Sequence, residues 1–238
     1  MTRQVGQLSD IAGILFDKDG TLLDFHATWV PKGLDLVAKL CDSDIELMAR
    51  LMATVGFDEI SGRVKSGSIL AAGNNLDIAK AWAAQLPLSV AELEALINAE
   101  FAVGIEHPSV PVDNLTSSLG QLHDMGYVMG VATMDSEQGI RSTLRPYDCL
   151  HLFQFLCGYD SGHGSKPGPG MVQAFCEATK IKPHQVMVVG DNTHDLHMGL
   201  SAGAGAVVGV LTGTSVSADL HQADYILDSI ADLPLLLA

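Results

Sequence analysis

Two aspartates, Asp17 and Asp19, follow a short apolar run and precede Gly20-Thr21-Leu22-Leu23-Asp24. In an extended chain alternate side chains share a face, so the two carboxylates would converge on one point while Lys18 turns away. Carboxylates held that close repel one another unless a cation joins them. The plainer alternative is a solvated turn, because Asp-Gly favours turns. A second acidic pair, Asp191 and Asp195, lies in Gly190-Asp191-Asn192-Thr193-His194-Asp195, directly after the apolar run Val-Met-Val-Val. Residues four apart are neighbours on a helix, so this pair faces one side of a helix beginning here. A carboxylate delivered to a strand end suits a hard cation such as Mg²⁺. Helix capping by Asp191 or Asn192 would account for one acid, though hardly for both.

Two smaller signals accompany the acids. Thr133 ends the run Tyr-Val-Met-Gly-Val-Ala, and Lys166 sits in Ser165-Lys166-Pro167-Gly168-Pro169-Gly170, where Pro167 biases it toward an extended conformation. A hydroxyl and an ammonium are both partners for phosphate oxygens, although each alone is an ordinary strand-end Thr or loop Lys. Taken together, the four signals have the chemistry of phosphoryl transfer, which depends on charge stabilisation and positioning.

The elements that must position these residues alternate along the chain. Strands are expected at 11–16, 127–133, 153–158, 186–190, 206–211 and 224–227, with helices over 112–125, 136–144, 169–179 and 193–202. That alternation predicts an α/β fold, a doubly wound parallel sheet wrapped by helices, which binds ligands beyond the carboxyl ends of its strands. Between 25 and 106 helical periodicity replaces it, with stripes at Leu34, Val37, Ala38 and Leu40, at Ile45, Leu47, Met48 and Leu51, and at Ala91, Leu93, Leu96 and Ile97. Residues 62–75, rich in Gly, Ser and Asn, read as a loop, followed by a helix carrying Ile78, Ala81 and Trp82. The expected division is a core of residues 1–24 and 107–238 and a smaller helical domain of 25–106.

Composition narrows the function classes. The 238 residues carry 13 Lys+Arg against 28 Asp+Glu, a net charge of −15, and 47% are hydrophobic. That is too apolar for intrinsic disorder, and too acidic for a nucleic-acid or anionic-membrane surface. No apolar run approaches the roughly 20 residues of a membrane helix, and the first residues lack a secretory cleavage site, so a cytoplasmic address is expected. Cys41, Cys149, Cys157 and Cys176 form no C-x-x-C pair and read as buried thiols.

The ordered set DKDGTLLD, ATMDS, SKPGPG and GDNTHD resembles the four motifs of the haloacid dehalogenase superfamily of aspartate-nucleophile phosphohydrolases. In size and cap position the chain is similar to the phosphoglycolate phosphatase-like branch. The resemblance implies a Rossmann-like core with a helical cap. It implies that Asp17 attacks phosphorus and that Asp19 protonates the leaving oxygen and then activates water. Mg²⁺ would be held by the Asp17 carboxylate, the Asp19 backbone carbonyl and Asp191. Thr133 would bind a phosphate oxygen, Lys166 would neutralise charge, and Asp195 would orient Lys166 or a water on the metal. Gly20 and Thr21 would shape the turn after the nucleophile. Asp19 separates the chain from dehalogenases, which attack carbon, and the lack of membrane helices separates it from ion pumps.

The expected activity is Mg²⁺-dependent hydrolysis of a small phosphorylated metabolite, phosphoglycolate or a sugar phosphate, by a monomer or homodimer. A phosphotransferase or mutase using the same aspartate is the alternative. A non-catalytic phosphate-binding protein would be expected to have lost one of Asp17, Asp19, Lys166 or Asp191. Arg63, Lys65 and His26 are candidates for substrate specificity, and Arg63 and Lys65 could meet a second anionic group, although a solvated loop is the plainer reading of 62–75. His26 and Trp29 stand near the cap entrance, with Trp29 read as a packing anchor. Asp135, following Thr133 and Met134, would repel phosphate and is placed outside the site. His194 and His197 read as surface or supporting groups, and Met125, Met129, Met134 and Met187 as core fillers.

Overall fold

A computed structural model describes residues 8–101 and 108–238. Its centre is a six-stranded sheet in the order β5-β4-β1-β6-β7-β8, formed by β1 Gly13–Phe16, β4 Val128–Ala132, β5 Phe153–Cys157, β6 Val186–Gly190, β7 Ala206–Val210 and β8 Tyr225–Leu227. Every pairing is parallel. The expected strands are present, each trimmed by no more than two residues at an end. Side-chain alternation divides them between two cores. Ile14, Phe16, Met129, Val131, Met187 and Val189 pack on one face, and Leu15, Ala132, Val186, Val188 and Val207 on the other. Burial on both faces explains why the central strands read as continuous apolar runs, whereas the edge strands β5 and β8 are partly exposed.

The helices around the sheet are α6 Leu115–Asp124, α7 Glu137–Leu144, α8 Gly170–Thr179, α9 Thr193–Ala202 and α10 Leu233–Leu236. The helix expected from 112 starts three residues later, because a turn at Asp113–Asn114, with Asn114 in the left-handed region, comes first. The Ser136 hydroxyl accepts from Gly139 N at the start of α7, and Asn192 and Asp195 form a reciprocal capping pair at the start of α9.

Residues 25–101 carry their own apolar cluster, including Trp29, Leu36, Val37, Leu51, Met52, Ile78, Trp82, Leu93, Ile97 and Phe101. Their helices are α1 Phe25–Leu40, α2 Ile45–Thr54, α3 Ile69–Ala72, α4 Asn75–Ala83 and α5 Val90–Phe101. The Asp24 carboxylate caps α1 by accepting from Ala27 N. Two expectations are corrected here. Residues 62–75 are not one loop: β3 Arg63–Val64 pairs antiparallel with β2 Phe57–Asp58, and α3 follows. The stripes are also partly rotated, since Leu34, Ile45 and Leu96 are exposed whereas Leu36, Met52 and Phe101 are buried. The expected boundary at 24/25 falls where α1 begins, and that at 106/107 lies outside the described residues. No described helix is long and apolar enough to cross a membrane.

Candidate active site

The sheet delivers its polar residues to one edge. Asp17 directly follows β1, Thr133 follows β4 and Asp191 follows β6, while the Ser165-to-Gly170 loop brings Lys166 in ahead of α8. Lys166 Nζ donates to Asp17 Oδ1 at 2.5 Å and to Asp195 Oδ1 at 2.6 Å. The other oxygen of Asp195 accepts from Asn192 N at 3.0 Å, which fixes the carboxylate from behind. Asp191 Oδ2 accepts from Thr214 N at 2.7 Å and from the Thr214 hydroxyl at 3.3 Å. Gly20 makes this approach possible: its φ is +91°, and a Cβ there would stand 2.6 Å from Asp191 Cγ. The Thr21 hydroxyl is buried without a hydrogen-bond partner.

Asp17, Asp191 and Asp195 each offer one oxygen within 4.8 Å of the others, and all three are buried. Burial pushes the Asp17 carboxyl up to about 6 despite Lys166, with the Asp195 charge adding to the rise. Burial, then Asp17 and Asp195, raise Asp191 well above the ordinary carboxylate range. Burial alone would lower the Lys166 ammonium, but Asp17 and Asp195 outweigh it and hold it above its usual value. Three buried acids thus share one ammonium. An all-oxygen donor set with excess negative charge fits a hard divalent cation such as Mg²⁺, so the residues present suit the expected metal.

Asp19 belongs to a second charge cluster. Its carboxylate accepts from Lys18 Nζ at 2.8 Å and from Trp29 Nε1 at 2.7 Å. Lys18 also reaches Asp135 Oδ2 at 3.0 Å and is fully buried. Burial raises Asp19, opposed by Lys18 and reinforced by Asp135. Lys18 Nζ stands 5.1 Å and Lys32 Nζ 4.9 Å from the Trp29 ring centroid. The Lys32 ammonium has no hydrogen-bond partner and lies over the indole face; burial, then Lys18, lower its pKa, opposed by the Asp19, Asp135 and Glu100 charges.

These contacts revise several expectations. Lys18 does not simply turn away; it neutralises Asp19 and Asp135, so the Asp17 and Asp19 carboxylates are divided between two ammonium groups. Asp135 lies at the site rather than outside it, its charge met by Lys18. Trp29 packs on Phe101 as an anchor would, and it also donates to Asp19 from α1. The signal available in the sequence was Lys18 itself, a cation inside an otherwise apolar and acidic strand end. Thr214 lies outside every motif, and no sequence signal marks its hydrogen bonds to Asp191.

The cavity over this edge has a volume of about 400 Å³. Asp17, Asp19, Thr133, Lys166, Asp191 and Asp195 line its floor. Phe25, Trp29, Asn74, Asn75 and Asn98 reach it from the helical unit. The structure does not bring His26, Arg63 or Lys65 to it among the described lining residues. His26 Nε2 accepts from Val64 N, Arg63 donates to the Gly213 carbonyl at 3.4 Å, and Lys65 is exposed. His194 lines the cavity, with burial lowering its pKa, whereas His197 bonds Gln222 at the surface. Met129 and Met187 fill the core as expected, Met134 lines the cavity, and Met125 is 42% exposed.

A model of the haloacid dehalogenase-like hydrolases matches residues 11–203, and the chain belongs to that family. Within it the chain groups with phosphatases, the phosphoric monoester hydrolases. It is 25% identical to the phosphoglycolate phosphatase of Shigella dysenteriae serotype 1 (strain Sd197), covering 96% of this chain and 93% of that one. The phosphoglycolate phosphatase of Haemophilus influenzae (strain KW20) is 30% identical over 50% of this chain and 54% of its own. In fold the chain is similar to a haloacid dehalogenase-like hydrolase of Streptococcus pneumoniae, with TM-score 0.71, 18% identity and coverage of 97% and 100%. It is also similar to CbbY of Rhodobacter sphaeroides in complex with phosphate, with TM-score 0.68, 18% identity and coverage of 94% and 96%.

Proposed function

We propose that the chain is a Mg²⁺-dependent phosphatase that hydrolyses a small phosphate monoester through a phosphoryl group carried on Asp17. The observation that carries this reading is the Lys166 ammonium clamped between Asp17 and Asp195, with Asp191 beside them. Lys166 draws the Asp17 carboxylate toward its ionised, nucleophilic form and stands ready to offset phosphoryl charge. Asp195 positions Lys166. The Thr133 hydroxyl, whose oxygen already accepts from Asp135 N at 3.1 Å, keeps its proton to donate to a phosphate oxygen.

In the first half, a bond forms between Asp17 and phosphorus as the ester P–O bond breaks, and Asp19 gives its proton to the leaving oxygen. In the second, Asp19 takes a proton from water as the water oxygen attacks phosphorus and releases Asp17. Burial that favours the protonated Asp19 suits the first role, and the Lys18 and Trp29 contacts aim the group. When bound by the Asp17 and Asp191 carboxylates and the Asp19 backbone carbonyl, Mg²⁺ would supply positive charge to the phosphoryl oxygens. The helical unit over the cavity would exclude bulk water and leave room for a small leaving group.

The names of the sequence relatives put phosphoglycolate among the first esters to try, beside sugar phosphates. The test is phosphate release from p-nitrophenyl phosphate and a panel of small esters, with Mg²⁺ or EDTA, in the parent and in Asp17→Asn. Mg²⁺-dependent release that disappears in Asp17→Asn is the expected result. No release from any ester by a folded, Mg²⁺-binding protein would overturn the proposal.

A further inference from the structure

The cavity holds little positive charge for anything beyond the phosphoryl group. Among the described residues lining it, Lys166 is the sole Lys or Arg, and both Asp17 and Asp195 already bond it. Arg63 and Lys65, weighed as partners for a second anionic group, are not among the described lining residues, and Arg63 instead donates to the carbonyl of Gly213, which packs against Asp191. Asp135 and Asp160 also line the wall, so a carboxylate on the leaving group would meet two further acids. Lys18 answers Asp135, and Asp160 accepts from Glu137 N at 2.9 Å, but neither contact adds a cation to the cavity.

The wall offers neutral hydrogen-bonding groups instead. Asn75 Nδ2 donates to Asn98 Oδ1 at 2.7 Å, which leaves each side chain a further polar end to use. Gln138 and Ser142 face the cavity from α7, and Tyr159 lies alongside. Asn192, only 4% exposed, also lines it, and its Nδ2 is buried with no hydrogen-bond partner.

We propose that this cavity selects phosphate monoesters whose leaving group is uncharged and carries hydroxyls, a small polyol or sugar, over esters whose leaving group carries a carboxylate. This rests on the phosphatase reading above and narrows it. Phosphoglycolate, the ester in the names of the sequence relatives, falls in the disfavoured class. A carboxylate without a cationic partner beside Asp135 and Asp160 is expected to cost at least roughly 100-fold in kcat/KM, the scale on which mismatched polar groups discriminate.

The sharpest comparison is 2-hydroxyethyl phosphate against phosphoglycolate, which differ only in a terminal CH₂OH or carboxylate. Both are measured with Mg²⁺ beside p-nitrophenyl phosphate, in the parent and in Asn75→Lys, which adds an ammonium to the wall. The parent should favour 2-hydroxyethyl phosphate by at least that factor, and Asn75→Lys should shift the ratio at least roughly tenfold toward phosphoglycolate. A parent that cleaves p-nitrophenyl phosphate yet handles phosphoglycolate as well or better overturns the selectivity and leaves the phosphatase reading standing. So does an Asn75→Lys protein that cleaves p-nitrophenyl phosphate with the ratio unmoved. Failure to release phosphate from all three esters overturns both.

Discussion

Replacing Lys18 with Met should destabilise the protein sharply, although Lys18 touches no substrate atom in the proposed reaction. The ammonium is fully buried and lies 2.8 Å from Asp19 and 3.0 Å from Asp135. Burial works against its charge, but the two carboxylates outweigh that and raise its pKa above the ordinary value. A lysine raised in this way contributes stability that is complete below its unfolded pKa of about 10.4 and lost only as pH rises through the folded value, so the contribution is whole at pH 7.5. Removing one partner of a buried ion pair costs about 3–5 kcal/mol. At about 2–4 °C per kcal/mol for a chain of this length, Tm should fall by roughly 6–20 °C. Differential scanning calorimetry in EDTA at pH 7.5 measures it. The deficit should shrink at pH 5, where a proton can take the place of the ammonium between the two acids. Adding Asp135→Asn to Lys18→Met should recover part of the loss, because it removes one of the stranded charges. A Lys18→Met melt within about 2 °C of the parent, or a double variant whose losses simply add, would refute the reasoning.

Trp29→Phe keeps a ring against Phe101 but loses the indole donor to Asp19. A hydrogen bond to a charged group is worth about 1.5–3 kcal/mol, so turnover of 2-hydroxyethyl phosphate should fall roughly 10- to 100-fold, with a far smaller Tm loss than in Lys18→Met. Unchanged turnover would mean the contact leaves the reaction untouched. Asp191→Asn removes one of three buried acids that share Lys166, so the metal-free protein should melt higher and its Mg²⁺-induced Tm gain should vanish. A lower metal-free Tm, or a retained gain, speaks against the carboxylate cluster as the metal site. The raised Asp17 contributes stability present below its ordinary value near 3.9 and lost as pH rises through about 6. Mg²⁺ must displace that proton, so the Tm gain from Mg²⁺ should grow between pH 5 and pH 7.5. An equal gain at both pH values contradicts it.

The sheet was legible because its central strands are buried on both faces and therefore written as unbroken apolar runs, as in Val186–Gly190, while the edge strands Phe153–Cys157 and Tyr225–Leu227 are only partly buried. Asp17, Thr133, Lys166, Asp191 and Asp195 could be anticipated because each sits just beyond a strand, in a Pro-Gly loop or, for Asp195, in the first turn of α9, where backbone geometry nearly settles position. The partners that arrive from a distance could not. Lys18 meets Asp135 only once β1 and β4 pair, and Trp29 meets Asp19 only once α1 docks over the sheet edge. The ribbon Phe57–Asp58 with Arg63–Val64 is two residues per strand, too short to leave a periodic signature. Arg63 and Lys65 show the limit most plainly. A charged residue in a Gly/Ser-rich stretch carries no signal of where a two-residue strand will send it: Arg63 donates to the Gly213 carbonyl and Lys65 is exposed.

The most direct test of the central claim is to quench the enzyme with acid during turnover of p-nitrophenyl phosphate with Mg²⁺ and to map the peptides by mass. The account predicts one phosphoryl group on the peptide containing Asp17, at the Asp17 side chain, and none in Asp17→Asn. Continued turnover in Asp17→Asn, or a phosphoryl group trapped on any other residue, would contradict it.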